Sequence, residues 1–403
     1  SNYLVSILSI TIVFRIYRDV YKKSMNSSIR WYLKFMDTKK KRIVICAAGT
    51  GGHVYPGLSI AKELIKQNIS ILWIGTENGI EKKIIGDADI PIKYIKFSGI
   101  RGKGLFSYLK LPVTLLIATF QAFKILKRFD VDAVLSMGGY ISFPCSLASF
   151  ILRVPIIIHE QNIIFGMANN ILRFFSDTVL LGFPMNLKNS KYKYLGNPTR
   201  YENDQISKKV HIKNSFNILI VGGSLGAKIL NEVVPQAIFG LKKITDCEIN
   251  VIHQTGKTYK VAQDQYKNFD INIDLREYIA SMKEAYDWCD IIVCRGGAIT
   301  ITEIMNFGIP SIIVPYPHAV DDHQMKNCKY LEDNNAGIVI NQKNFTNEYL
   351  TSIFKTLIEN KNLCKSISDN IIKLNKVDST KNICKEIITK ISDNSTYEKW
   401  FKK

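Results

Sequence analysis

The sequence predicts an α/β protein of two doubly wound halves, each built on a parallel sheet. Three observations lead there. Short apolar runs alternate with helical stretches of roughly 10 to 15 residues, the rhythm of βαβ units and not of hairpins. Glycine-rich turns follow such runs in both halves, at residues 49–52, 138–139, 222–226 and 296–297. The length of 403 residues allows two or three units at roughly 150 residues each. Hydrophobic residues at 46% and charged residues at 22% are ordinary for a folded chain and exclude a disordered one.

Residues 1–40 form an extension unlike the rest. Its apolar run, 3–14, is followed by Arg15, Arg18, Lys22 and Lys23. The run is shorter than the roughly 18 to 20 residues that cross a bilayer, and no basic region precedes it as in a signal peptide. It is expected to lie on a membrane surface. From Arg42 the pattern is regular. Residues 42–47 (RIVICA) read as a buried strand ended by the glycines at 49–52, with a helix over 56–67 and a strand over 71–75. Residues 133–139 (AVLSMGG) repeat the strand-then-glycine unit, and 154–159 (VPIIIH) add a strand. In the second half 217–221 (NILIV) run into GGSLG and a helix beginning near Ala227. Residues 291–294 (IIVC) run into RGGA and a helix through Glu303, and 311–315 (SIIVP) form another strand. The halves join near 196–207, so the expected units are 1–40, 41–200, 201–375 and 376–403.

The net charge of +19 is unevenly placed. Residues 1–42 hold ten basic and two acidic side chains, 43–200 hold 18 and 9, and 201–403 hold 26 and 24. A positive field confined to the first half points to an anionic surface partner, nucleic acid or phospholipid, facing that half. The eight cysteines form no Cys-x-x-Cys pair and no Cys/His cluster of zinc spacing, so no structural metal is expected.

The turns carry the chemistry. Helix N-termini present unpaired N–H groups and a positive dipole end, and glycine lets a phosphate approach them. Neither half fits the dinucleotide fingerprint or the P-loop spacing. His53 stands at the mouth of the first turn, where a general base could work near its own pKa. His159, Glu160, Gln161 and Asn162 follow a buried strand and are expected at the ligand edge of the sheet. Glu303 follows Gly296 and Gly297 on a helix, placed for two ribose hydroxyls. Asp321, Asp322, His323 and Gln324 form a second polar cluster. Asp130 and Asp132 precede their strand and should lie at the wrong edge.

Taken in order, GTGGHVYPG (49–57), SGIRGKG (98–104), SMGGYISFP (136–144), HEQN (159–162), GNPTR (196–200), GGSLGA (222–227), HQTGK (253–257), CRGGAITITE (294–303) and DDHQ (321–324) resemble the MurG family. These are the UDP-N-acetylglucosamine transferases that convert lipid I to lipid II in peptidoglycan synthesis. The resemblance implies a GT-B fold, two Rossmann-like domains facing across a cleft, with the last helix crossing back to the first; Tyr397 and Phe401 suit that helix. It also implies a cytoplasmic, peripheral position at the bacterial membrane, UDP-N-acetylglucosamine and undecaprenyl-linked lipid I as substrates, no cofactor and no metal. The diphosphate of the donor falls to Ser224 and its turn with Arg200, and the uracil lies by Ile279. The nucleotide is held by Ala298, Ile299, Thr300, Ile301, Thr302 and Glu303, and the sugar by Asn162 and Gln324. Thr50, Gly51 and Gly52 face the acceptor's diphosphate. His53 is the first choice for the base and Glu160 its rival. The chain departs from the family at Leu225, often Gln, and Gly296, often Ser or Ala.

The positive first half then acquires a mechanism. Leu109, Val113, Leu116 and Phe120 recur at three-to-four spacing within 105–129, among Lys103, Lys110, Lys124, Lys127 and Arg128. An apolar stripe with basic flanks suits an anionic membrane. Two other readings stand beside this one. A different GT-B transferase would use another membrane lipid as acceptor. A nucleic-acid-binding protein would interleave Arg or Lys with exposed aromatics, and residues 201–403 hold no such stretch, so no nucleic-acid partner is expected.

Overall fold

The computed structural model describes residues 40–99, 105–202, 215–223, 226–267 and 270–393, the side chains of 105–109, 320 and 393 excepted. The apolar runs pair into two sheets. The first contains β1 (Arg42–Cys46), β2 (Ser70–Gly75), β3 (Ile92–Tyr94), β4 (Ala133–Ser136), β5 (Ile156–Glu160), β6 (Thr178–Leu181) and β7 (Tyr192–Tyr194), in the order β3-β2-β1-β4-β5-β6-β7. The second contains β8 (Ser215–Val221), β9 (Glu248–Gln254), β10 (Asn272–Arg276), β11 (Ile291–Cys294), β12 (Ser311–Ile313) and β13 (Ile338–Val339), in the order β10-β9-β8-β11-β12-β13. Every pairing is parallel, with Val44 opposite Leu72 on one side and Val134 on the other.

The helices of the first domain are α1 (Gly51–Lys66), α2 (Glu81–Gly86), α3 (Leu105–Phe129), α4 (Ser142–Ile151) and α5 (Met167–Leu172). Those of the second are α6 (Lys228–Lys242), α7 (Tyr259–Tyr266), α8 (Met282–Trp288), α9 (Ala298–Phe307), α10 (His323–Glu332), α11 (Asn347–Glu359) and α12 (Lys361–Leu374), and α13 (Ser379–Asp393) follows. They cover both faces of each sheet, which is why the strands read as continuous apolar runs. In β1, Ile43 and Ile45 pack toward α1, while Val44 and Cys46 pack toward α3 and α4.

In each sheet the strand order reverses once, between β1 and β4 and between β8 and β11. Ligands of open parallel sheets bind at such switch points, and all four glycine turns lie there. α1 begins at Gly51, five residues before the expected start, with Pro56 inside it. His53 therefore stands on the first helical turn instead of in a loop. α13 returns to the first domain: Ile383, Cys384, Ile387 and Ile391 join Ile60 and Leu64 in its core. One face of the helix is buried, at about 1.5–3 kcal/mol per large aliphatic side chain. Glu202 caps it, accepting from the Thr380 N–H and hydroxyl, each at 2.9 Å. The expected return segment around Tyr397 and Phe401 lies outside the described residues.

Candidate active site

The first-domain side of the site starts at Gly49, where φ is +99° and a Cβ would touch the Tyr140 ring at 3.4 Å. Thr50 is the N-cap of α1, yet its hydroxyl caps no backbone N–H. It lies 3.1 Å from His53 Nδ1 instead. A capping hydroxyl ordinarily takes up an N–H of the first turn. Its diversion leaves the positive end of the helix to an anion. Gly138 and Gly139 run beside the His53 ring, and a Cβ on Gly138 would come within 3.2 Å of Nε2. Glycine there keeps that nitrogen uncovered. Burial of the ring, and after it the charge of His323 on α10, push the His53 pKa down to about 4. The expectation of a base titrating near neutrality is corrected: His53 is neutral throughout the neutral range.

The polar run 159–162, whose first two residues end β5, also differs from expectation, because three of its four side chains are buried. His159 has Nε2 3.1 Å from the Gly196 carbonyl and Nδ1 3.0 Å from Gln161 Nε2, so both ring nitrogens are taken. Glu160 is only 2% exposed. Its Oε1 accepts from Asn162 N and Nδ2 at 3.1 and 3.3 Å. Its Oε2 accepts from Gly166 N and Asn169 Nδ2 at 3.0 and 2.9 Å. Four donors fill a carboxylate's acceptor positions. Burial raises the Glu160 pKa and the four donors oppose that rise. The rival base thus has no lone pair to offer a substrate, and it holds the loop in place.

Asn162 is half-buried at the cleft, and its Oδ1 accepts from Asn327 Nδ2 at 3.1 Å. Asn327, fully buried on α10, also donates to the Gly296 carbonyl at 3.3 Å and accepts from Ile163 N at 3.0 Å. One side chain thereby ties the loop after β5 to the turn after β11, across the two domains. The sequence reading missed it. Its three-residue spacing from Gln324, which puts both on one side of a helix, was the available signal. Asn327→Leu strands the Ile163 N–H and the Asn162 carbonyl oxygen, so the unfolding free energy should fall by about 1–3 kcal/mol. Urea unfolding checks this, and an unchanged midpoint would remove the latch.

On the second-domain side Glu303 of α9 is 7% exposed and accepts from Tyr286 Oη at 2.8 Å. Burial raises its pKa, while the Tyr286 bond and the Arg200 charge hold it down. Arg200 stacks on Tyr55 of α1 at 4.5 Å and on Tyr201 at 5.4 Å. Burial, and after it the nearby Tyr278 of the second domain, raise the Tyr55 pKa. Gly297 caps α9 without a side-chain bond, leaving its first-turn N–H groups toward the same space.

Burial decides which groups of the expected contact residues are left for a ligand. Within 298–303 the helical period turns Ile301 into the core and Thr302 toward Asn197, which donates to its hydroxyl at 3.1 Å. Ile299 and Thr300 remain half-buried. The Ile279 side chain is 1% exposed and belongs to the same core, so only its peptide group is left for a ligand. Gln324 is half-buried, with Oε1 accepting from Tyr316 N at 2.9 Å. Ser224 and Leu225 lie outside the described residues. Beside them Gly226 has φ +79°, and a Cβ would stand 2.1 Å from the Thr255 carbonyl, so only glycine fits. At Gly296 a Cβ would meet Cys328 Sγ at 2.4 Å, which explains glycine where the family often has Ser or Ala. Asp132 sits at the opposite edge, accepting from Arg42 N at 2.7 Å.

Comparison with known proteins agrees with this geometry. Residues 43–181 match the glycosyltransferase family 28 N-terminal domain and 217–383 its C-terminal domain. The UDP-N-acetylglucosamine–N-acetylmuramyl-(pentapeptide) pyrophosphoryl-undecaprenol N-acetylglucosamine transferase of Psychromonas ingrahamii is 38% identical over 355 residues, 87% of this chain and 99% of that one. That of Haemophilus ducreyi is 39% identical over 330 residues, 80% and 91% of the two chains. The crystal structure of Acinetobacter baumannii MurG superposes with a TM-score of 0.73 at 35% identity, covering 87% of this chain and 99% of that one. A kitacinnamycin glycosyltransferase, 11% identical with a TM-score of 0.66 over 88% of this chain and all of that one, shares the fold alone. Two parallel-sheet domains with their glycine turns at facing switch points form a GT-B fold, and the chain belongs to the MurG family of glycosyltransferases.

Proposed function

We infer that this chain transfers N-acetylglucosamine from UDP-N-acetylglucosamine to the C4 hydroxyl of N-acetylmuramic acid in lipid I, forming lipid II for peptidoglycan synthesis. Relationship along 99% of a transferase's length carries this reading. The acceptor's diphosphate sits at the open end of α1, by Thr50, Gly51 and Gly52. The donor's diphosphate sits at the turn holding Ser224 and at the start of α9, with Arg200 beside it. Glu303 takes the ribose, Asn162 and Gln324 the sugar, and the Ile279 peptide group the uracil.

With Nδ1–H donated to Thr50 Oγ1, the neutral His53 ring presents the Nε2 lone pair. As O4 bonds to C1, its proton passes to Nε2. The C1–O bond to UDP breaks with its electrons on the diphosphate, and attack opposite that bond inverts C1. Helix N-termini with roughly half a positive charge each stabilise the departing UDP. The test is transfer of labelled N-acetylglucosamine to a lipid I analogue with chelator present. Product under those conditions supports the reading. No product, with UDP still bound, would move the acceptor to another membrane lipid.

The same enzyme docks on an anionic membrane through its first domain, at the cytoplasmic face. α3 turns Ala118, Ala122 and Leu126 into the core and leaves Val113, Leu116, Ile117 and Phe120 exposed. An ordinary core-facing helix keeps its outer face polar, whereas four large apolar side chains lie exposed over 113–120. Phe150 and Ile151 of α4 and Phe174 and Phe175 after α5 extend the apolar surface. Among the described residues no helix is long and apolar enough to cross a membrane. The Leu109 side chain and Lys103 of the expected stripe lie outside them. Leu116→Glu with Phe120→Glu should weaken binding to anionic vesicles more than tenfold, given about 1.5–3 kcal/mol per inserted side chain. Co-sedimentation measures it, and transfer to a water-soluble acceptor should stay as in the wild type. Undiminished vesicle binding would place the membrane contact elsewhere.

A further inference from the structure

A cavity of about 590 Å³ opens beside the cleft, at the carboxyl ends of β2 and β3 under α3. Thr76, Glu77, Lys96, Thr114 and Gln121 line it, and Tyr140 closes one side. Tyr140 is a wall shared with the acceptor site. Its hydroxyl lies 3.3 Å from Thr76 Oγ1, while its ring packs against Gly49 of the turn that starts α1. Its chain neighbour Gly139 lies beside the His53 ring. The cavity is therefore one side chain away from the position of the reacting sugar.

We propose that this cavity takes the peptide stem of the acceptor. The proposal rests on the transferase reading and deepens it. Its volume falls in the roughly 300–1,000 Å³ range of ligand pockets. Its wall mixes hydroxyls, an amide and charges of both signs, the partners that peptide amides and a terminal carboxylate need. Lys96 and Lys110 line the wall with Glu77, so a peptide stem with charges of both signs finds counter-charges there that a prenyl chain cannot use. Gln121 is already fixed, its Oε1 accepting from Lys96 N at 2.8 Å. β3 is the edge strand, with no strand beyond it among the described residues. An extended peptide can add its main-chain bonds along such an edge. Five extended residues reach about 17 Å, enough to pass Tyr140 from the sugar.

The test compares an acceptor bearing the full stem with one cut back to the first residue, on the wild type, Thr114→Trp and Lys96→Glu. Both positions are exposed, so neither change removes a core contact. The wild type should use the full stem with kcat/KM about tenfold higher, the size of one charge-assisted hydrogen bond. Either substitution should bring that ratio to about one, with the short acceptor used as before. A wild-type ratio near one, or a ratio that survives both substitutions, overturns the assignment. Absence of transfer to either acceptor by the wild type would instead sink the lipid I reading on which it rests.

Discussion

In His53→Ala, kcat for sugar transfer falls by about 10²- to 10⁴-fold, the range that a positioned general base contributes, while UDP binding is unchanged. The reason lies in the placement. His53 alone among the first-domain candidates combines a fixed ring, a satisfied Nδ1 and an Nε2 kept open by Gly138. Its pH dependence has a definite sign. The base works deprotonated, and its pKa stands at about 4. Activity limited by this group therefore drops only as pH falls toward about 4 and is level from about pH 5 upward. A pH–rate profile of kcat/KM checks the limb, and an acid limb near 6.5 would mean that the working base is another group. Loss of kcat by less than tenfold in His53→Ala would remove His53 from the proton transfer. Glu160→Ala acts differently: four hydrogen bonds lose their acceptor, so thermal unfolding should fall together with activity.

Glu303→Ala should raise KM for UDP-N-acetylglucosamine by about 10- to 100-fold, one or two charge-assisted hydrogen bonds to the ribose at about 1.5–3 kcal/mol each, with kcat changed far less. The carboxylate is buried, and it is oriented by Tyr286 at 2.8 Å. Tyr286→Phe should therefore give a smaller rise in the same direction. Because burial raises the Glu303 pKa, donor affinity should weaken at a higher pH than an ordinary carboxylate would impose as the solution is acidified. Calorimetric titration of UDP against both variants from neutral to acid pH measures both effects. Equal affinity in the wild type and Glu303→Ala would place the ribose elsewhere.

The parallel sheets were legible because a strand buried on both faces carries a continuous apolar run, as residues 43–46, 156–158, 218–221 and 291–294 do. The glycine turns were legible because positive φ at Gly49, Gly138, Gly223 and Gly226 leaves a local mark on the residue type. The helix start at Gly51 was not, since Pro56 reads as a first-turn residue and only the structure shows it a turn further in.

What the sequence by itself determined is the order of elements, the two switch points and the set of motifs that meet there, all of which follow from short-range patterning. The tertiary structure decided which of the motif residues can act. It saturated Glu160 with donors from three other residues and buried Ile279 and Ile301 in the second core. It set Asn327 across the domains and left Val113, Leu116, Ile117 and Phe120 of α3 exposed. Burial and hydrogen-bond partners come from distant segments, 165 positions apart for Asn162 and Asn327. No local pattern encodes them, so a polar residue reads the same in sequence whether it faces a substrate or a buried amide.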